Sequence, residues 1–183
     1  MGQKILKSLY SFQSYKEKKI LMLGIDNAGK TTILNQLKLN KVVESIPSIG
    51  YNVEKIAFKN FKLSFWDLPG RDYLRKMFWH HYYNDNNALL FVLDSTDTDR
   101  FNEAKETLNM LIENPNMADI PILILANKQD IATMCIERIK EQLELNKYIG
   151  IRQLHVQGCC ALNGKGLNEG LEWLSKILKN QKF

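Results

Sequence analysis

A chain of 183 residues suffices for one domain with a full core. Hydrophobic residues at 45% and charged residues at 25% are an ordinary soluble balance, and a net charge of +5 leans only weakly toward anionic surfaces, without choosing lipid or nucleic acid. Cys135, Cys159 and Cys160 offer neither a disulfide framework nor a zinc spacing, no run approaches ~20 apolar residues, and the N-terminus lacks a secretory pattern. A reducing, intracellular setting is expected.

Residues 3–13 read as a short amphipathic helix, with Ile5, Leu6, Leu9 and Phe12 near one face. Ile20 to Ile25 is an apolar run after Lys18 and Lys19 and predicts a buried strand. A glycine-containing loop follows, then a helical pattern from Thr31 to about Leu39. Val53 to Phe65 holds two strand-like runs around Lys59-Asn60-Phe61, a hairpin. Trp66-Asp67-Leu68-Pro69-Gly70-Arg71 closes the second run and leads into a helix-like, charge-flecked segment.

Ala88 to Leu93 is another continuous apolar strand, ending at Asp94. Arg100 to Glu113 has helical period, with Phe101, Ala104, Leu108 and Leu111 on one side. Ile122 to Ala126 is a third core strand, Ile136 to Leu145 a helix, Leu154 to Val156 the centre of a short strand, and Leu167 to Leu178 a final amphipathic helix. Strands alternating with helices predict an α/β domain with a six-stranded, mixed but mostly parallel sheet and helices on both faces. The early hairpin is expected to add one antiparallel edge strand. The expected division is an N-terminal helix and linker over 1–17 and a single domain over 18–180.

The strongest local signal is Gly24-Ile25-Asp26-Asn27-Ala28-Gly29-Lys30-Thr31, a complete GxxxxGK[ST] between a buried strand and a helix. In that context backbone amides and the helix N-terminus wrap a phosphate chain, and Gly29 lets the backbone approach closely. Lys30 reaches the β- and γ-phosphates, and the Thr31 hydroxyl ligates Mg²⁺. Asn27, Ala28 and Thr32 belong to the same phosphate-binding set. This loop implies a nucleoside triphosphate without naming its base.

Asn127-Lys128-Gln129-Asp130, at the end of the third core strand, resembles the NKxD guanine-specificity motif of GTPases. A carboxylate at Asp130 accepts from both N1–H and the exocyclic amine of guanine, a donor pair that adenine lacks. The Lys128 stem would pack over the base. Cys160-Ala161 resembles the third base-contacting segment, with the Ala161 amide near guanine O6.

From Gly2 to about Lys179 the chain resembles the Arf and Arf-like branch of the Ras-type small GTPases. The residues that carry this are GIDNAGKTT, IPSIGYNVE from Ile46 to Glu54, Trp66-Asp67, Asn127 to Asp130, and GLNEGLEWL near the carboxyl end, which has no prenylatable cysteine. The resemblance implies the P-loop GTPase three-layer fold and a GTP/GDP-dependent membrane-recruitment switch in vesicle traffic. It also implies an exchange factor, a GTPase-activating protein and effectors as partners. The location it implies is cytoplasmic and reversibly membrane-associated, at the Golgi or another endomembrane. A nucleic-acid role has no aromatic-basic module to support it.

Residue by residue, Thr31 and Ser48, where the family usually has threonine, match the Mg²⁺ ligands. Asp67 resembles the residue that holds an Mg²⁺-bound water, and Gly70 the glycine whose amide meets the γ-phosphate. Asp26 matches a loop position close to the phosphates. Tyr51, Trp66 and His81 match an exposed effector-reading patch, usually Phe, Trp and Tyr.

Over 67–71 the family has Asp, any residue, Gly, Gly, Gln, and this chain has Asp67, Leu68, Pro69, Gly70 and Arg71. The usual glutamine orients the attacking water. Arginine has only donors and always carries charge, so slow intrinsic hydrolysis is expected. Two alternatives stand beside this: Arg71 folding back as an internal arginine finger, and a GTP-locked binding module with negligible turnover. Lys30, Gly70 and Arg71 form the candidate catalytic set. Pro69 removes an amide hydrogen and fixes φ, but leaves the Gly70 amide in place.

Gly2 permits N-myristoylation, although Leu6 is not the preferred hydroxyl residue. One myristoyl chain binds only at roughly 10⁴ M⁻¹, so the apolar helix face and Lys4, Lys7, Lys16, Lys18 and Lys19 would add to it.

Overall fold

The structure, a computed structural model, describes residues 16–39, 43–48 and 51–180. Its strands are β1 (Lys16–Leu23), β2 (Val43–Ser48), β3 (Tyr51–Phe58), β4 (Phe61–Asp67), β5 (Ala88–Asp94), β6 (Ile122–Asn127) and β7 (Leu154–Gly158). Its α-helices are α1 (Lys30–Lys38), α2 (Asp72–Phe78), α3 (Phe101–Ile112), α4 (Ile136–Gln142) and α5 (Leu167–Asn180).

The strands form one sheet in the order β2-β3-β4-β1-β5-β6-β7. β1 pairs in parallel with β4 and β5, and β5-β6 and β6-β7 are parallel too. β3 alone runs against the others, antiparallel to both neighbours. The mostly parallel, mixed sheet is therefore as expected, but the described residues give it seven strands. The additional strand, β2, lies outside β3, so the hairpin strand is not the edge. Pro47 hides β2 from a sequence reading, because a missing amide hydrogen argues against a strand unless that strand is an edge. β1 also begins at Lys16, ahead of the boundary placed at residue 18: Lys16 pairs with Phe61. The charged start of the strand runs past the apolar residues that mark it in sequence. The helix expected over 3–13, and Gly2, lie outside the described residues.

Alternation along the central strands splits the core in two. Ile20, Met22, Leu90, Val92, Leu123 and Leu125 face α1 and α5, meeting Ile33, Leu34, Leu37, Leu171 and Leu174. Leu21, Leu23, Leu89, Phe91, Ile122 and Ile124 face the other way, onto Trp79, Leu108, Leu111 and Ile139. Both faces of β5 are covered, so all seven of its residues are buried. The fold is thus three layers. The parallel strands end together at Leu23, Asp67, Asp94, Asn127 and Gly158, where loops from different parts of the chain converge.

Deleting a side chain from the middle layer should leave a cavity that neighbours cannot fill. Leu90→Ala, at a fully buried position, is expected to lower the unfolding free energy by about 2–5 kcal/mol in urea titration, with the slope unchanged.

Candidate nucleotide site

The loop from β1 to α1 is shaped by two glycines that no other residue can replace without a shift. Gly29, with φ +95°, is the N-cap of α1, and a Cβ there would stand 2.3 Å from Asn127 Nδ2. Gly70, between β4 and α2, packs against this loop: its carbonyl accepts from the Asp26 amide at 3.2 Å, and a Cβ would come within 2.5 Å of the Asp26 nitrogen and the Gly24 oxygen. Segment 68–70 is held in place by its neighbours. Trp79 Nε1 donates to the Pro69 carbonyl at 2.9 Å, and buried Leu68 donates its amide to Met22 at 3.5 Å. The Pro69 carbonyl is thus engaged, and a missing amide hydrogen leaves this bond intact.

The phosphate end is a cavity of about 480 Å³ lined by Asp26, Asn27, Lys30, Thr31, Asp67, Gly70 and Arg71, among others. Lys30 is buried and donates to the carbonyls of Gly24 and Ile25 at 3.0 and 3.1 Å. Burial lowers its pKa, opposed by the charges of Asp67 and Asp26. Thr31 Oγ1 donates to Asp67 Oδ2 at 3.3 Å. Asp67 Oδ1 is buried without a hydrogen-bond partner among the described residues, and burial raises the carboxyl pKa against the pull of Lys30 and Thr31. An orphaned buried carboxylate oxygen beside a hydroxyl is a donor set that suits a hard divalent cation.

Arg71 immediately precedes α2, in extended conformation with φ −67° and ψ 139°. Its side chain is exposed and makes no hydrogen bond among the described residues. The expected catalytic set of Lys30, Gly70 and Arg71 is thus brought to one cavity. Ser48 pairs with Tyr51 at the end of β2, and the side chains of both lie outside the described residues.

The base end is a smaller cavity of about 120 Å³, lined by Gly29, Thr32, Asn127, Lys128, Asp130, Ile131, Ala161 and Leu162. Asn127 is its hinge. Its side chain donates to the Ala28 carbonyl at 2.9 Å and accepts from the Ala161 amide at 3.0 Å and the Cys159 thiol at 3.7 Å. The Ala161 amide, at the edge of this cavity, is thus held by Asn127, as a buried amide without another acceptor must be. Cys160 donates its amide to the Lys165 carbonyl at 2.9 Å. Burial pushes the Cys159 thiol up to about 12, so it stays a protonated, unreactive donor to Asn127. Lys128 Nζ pairs with Asp94 Oδ2 at 2.5 Å, holding its stem across the cavity. Asp130 is exposed at the mouth, without a hydrogen-bond partner among the described residues.

Asp26 lines the phosphate-end cavity, and its carboxylate is paired there with Arg100, which donates to Asp26 Oδ1 at 2.9 Å. One expectation changes. In the patch, Trp66 lies beside Tyr82, centroids 6.1 Å apart, with Lys19 Nζ 4.7 Å above its ring, while His81 lies against His80, ring centroids 3.8 Å apart and planes tilted by 42°. The short helical turn over Trp79–Tyr82 rotates residue 82 toward the sheet. Arg100, Asp94 and Tyr82 are the site residues that sequence reasoning missed. The only signal was the charged run Asp97 to Arg100 after a core strand.

A family model of the ADP-ribosylation factor family, Arf, matches residues 3–178. The chain belongs to that family. A solved structure of the Arl6 (BBS3) small GTPase from Trypanosoma brucei, with a bound nucleotide analogue, GppNp, superposes with a TM-score of 0.80 at 29% identity. The match covers 91% of this chain and 100% of that one. The Arf-like small GTPase fold is thus shown, and with it a family that binds guanine nucleotide and works with exchange factors, activating proteins and effectors.

The buried Asp67 carboxylate gives a pH signature. Its raised pKa means that the folded state holds a proton the unfolded state has lost, so stability falls as pH rises above 3.8 through the folded value. In EDTA without nucleotide, Asp67→Asn is expected to melt higher than the native protein at pH 7, with the gap closing toward pH ~4.

Proposed function

We propose that this Arf-family GTPase is a GTP/GDP-dependent membrane-recruitment switch in vesicle traffic whose intrinsic hydrolysis is slow. The observation that carries the kinetic part is the exposed Arg71 side chain at the phosphate end, beside Lys30, Thr31 and Gly70, where a water-orienting residue must both donate and accept. A guanidinium cannot accept, so it neutralises charge without holding water in line.

In this reading the nucleotide lies across the ends of β1, β6 and β7, with Asp130 on the guanine edge and Lys128 over the base. The orphaned Asp67 oxygen and the Thr31 hydroxyl support Mg²⁺ as the cation they hold, with Ser48 as the further ligand from β2. The cation neutralises phosphate charge when bound. Effectors read the surface around Trp66, joined by the exposed Tyr73, Met77 and Phe78 of α2.

Single-turnover hydrolysis of preloaded GTP tests the assignment. The native chain is expected to turn over slowly, and Arg71→Gln to raise the rate by about tenfold or more. Unchanged rates in the substitution would leave Arg71 without the role given to it. For membrane recruitment, myristoylation at Gly2 is the anchor. Gly2→Ala is expected to shift the GTP-loaded chain from vesicles to the soluble fraction in a flotation assay, by about the loss of one acyl chain.

A further inference from the structure

We propose that Arg100 is a positioning residue of the phosphate loop: it holds the Asp26 carboxylate to itself and so keeps a negative charge off the nucleotide's phosphates. The inference rests on the reading of this loop as a guanine-nucleotide site. Asp26 sits between Gly24 and Gly29 and lines the phosphate-end cavity beside Lys30, Thr31 and Arg71. Its charge is felt by the Lys30 ammonium, the group placed to meet the phosphates. A free carboxylate there would oppose every phosphate the loop binds, and the opposition grows with phosphate charge.

Arg100, 74 residues away, closes on it. Nη1 donates to Asp26 Oδ1 at 2.9 Å and Nη2 to the Asp26 carbonyl at 3.3 Å, so both the side chain and the backbone of the loop are held. The guanidinium is itself fixed from behind. Nε donates to Asp97 Oδ2 at 2.8 Å, and the Arg100 amide donates to Asp97 Oδ1 at 3.1 Å. A planar fork of five donors does this, and a lysine has no second arm for the carbonyl. Because two carboxylates occupy Arg100, it is suited to hold Asp26 and not to ligate phosphate.

The same segment also reaches the base end. Asp94, which pairs with Lys128, accepts from the Thr96 amide and hydroxyl at 2.9 and 2.7 Å. The turn from Asp94 to Arg100 therefore bears on both ends of the groove.

The test is release of fluorescent GDP and GTP analogues from the full chain in Mg²⁺, by stopped flow. Arg100→Ala is expected to release the GTP analogue about fivefold faster, and the GDP analogue by a smaller factor, since both partners of the pair are partly exposed. Asp26→Asn, which leaves Arg100 with spare charge, is expected to release both more slowly than the native chain. The double substitution should return to within about twofold of native, and Arg100→Lys should fall between native and Arg100→Ala. A purely structural role for Arg100 would leave the double variant as fast as Arg100→Ala, and that result overturns the proposal. So does faster release from Asp26→Asn alone, a readout that needs no Arg100 variant to fold. A native chain that binds neither analogue would refute the guanine-nucleotide reading itself, a failure distinct from the others.

Discussion

A single buried side-chain amide ties the site together. Asn127 ends β6, yet its two polar atoms serve the loop after β1 and the loop after β7. Both partners are backbone groups at buried residues, so the amide ties the end of β6 to the loops after β1 and β7 at once. The same nitrogen explains why Gly29 has no Cβ, since the space is already taken. That contact falls at the left-handed N-cap of α1, directly before Lys30, whose own ammonium is held by the Gly24 and Ile25 carbonyls.

Around this link the phosphate end is held in electrostatic tension. Lys30 and Asp67 are both buried, and desolvation works against the charged form of each. Their mutual attraction and the Thr31 hydroxyl offset part of that penalty, but one Asp67 oxygen keeps no partner among the described residues. Such a site is costly when empty of counter-charge and favourable when a polyanion and a cation enter together. Stability and affinity are therefore coupled through the same few groups.

Segment 68–70 carries the tension outward. Trp79 is fully buried and grips the Pro69 carbonyl, so the start of α2 is registered to the core and not to solvent. Arg75 continues this. It is buried, donates to Asp72 at 3.1 Å and pairs with Glu103 of α3. Arg71 stands between a fixed loop and a fixed helix, with its own side chain unrestrained. The rigidity lies in the backbone, which explains how a proline is accommodated at 69 while the Gly70 carbonyl still meets the Asp26 amide.

What the amino-acid sequence determined by itself was whatever depends on near neighbours. The apolar runs of β1, β5 and β6, the amphipathic period of α3 and α5, and the phosphate loop between strand and helix are all local patterns, since pleat and helical turn repeat over two to four residues. The NKxD tetrapeptide and the Asp67–Arg71 departures were readable for the same reason. Tertiary structure decided the rest. β2 is a strand because β3 offers it a free edge, and its own residues, with Pro47 among them, argue weakly for it. Arg100 finds Asp26, Tyr82 finds Trp66, and the Ala161 amide finds Asn127 across gaps in sequence that no periodicity spans. These pairings exist only once strand order has brought the loop ends together. Charge and hydrogen-bonding groups are then chosen by distance in space, not by spacing in the chain.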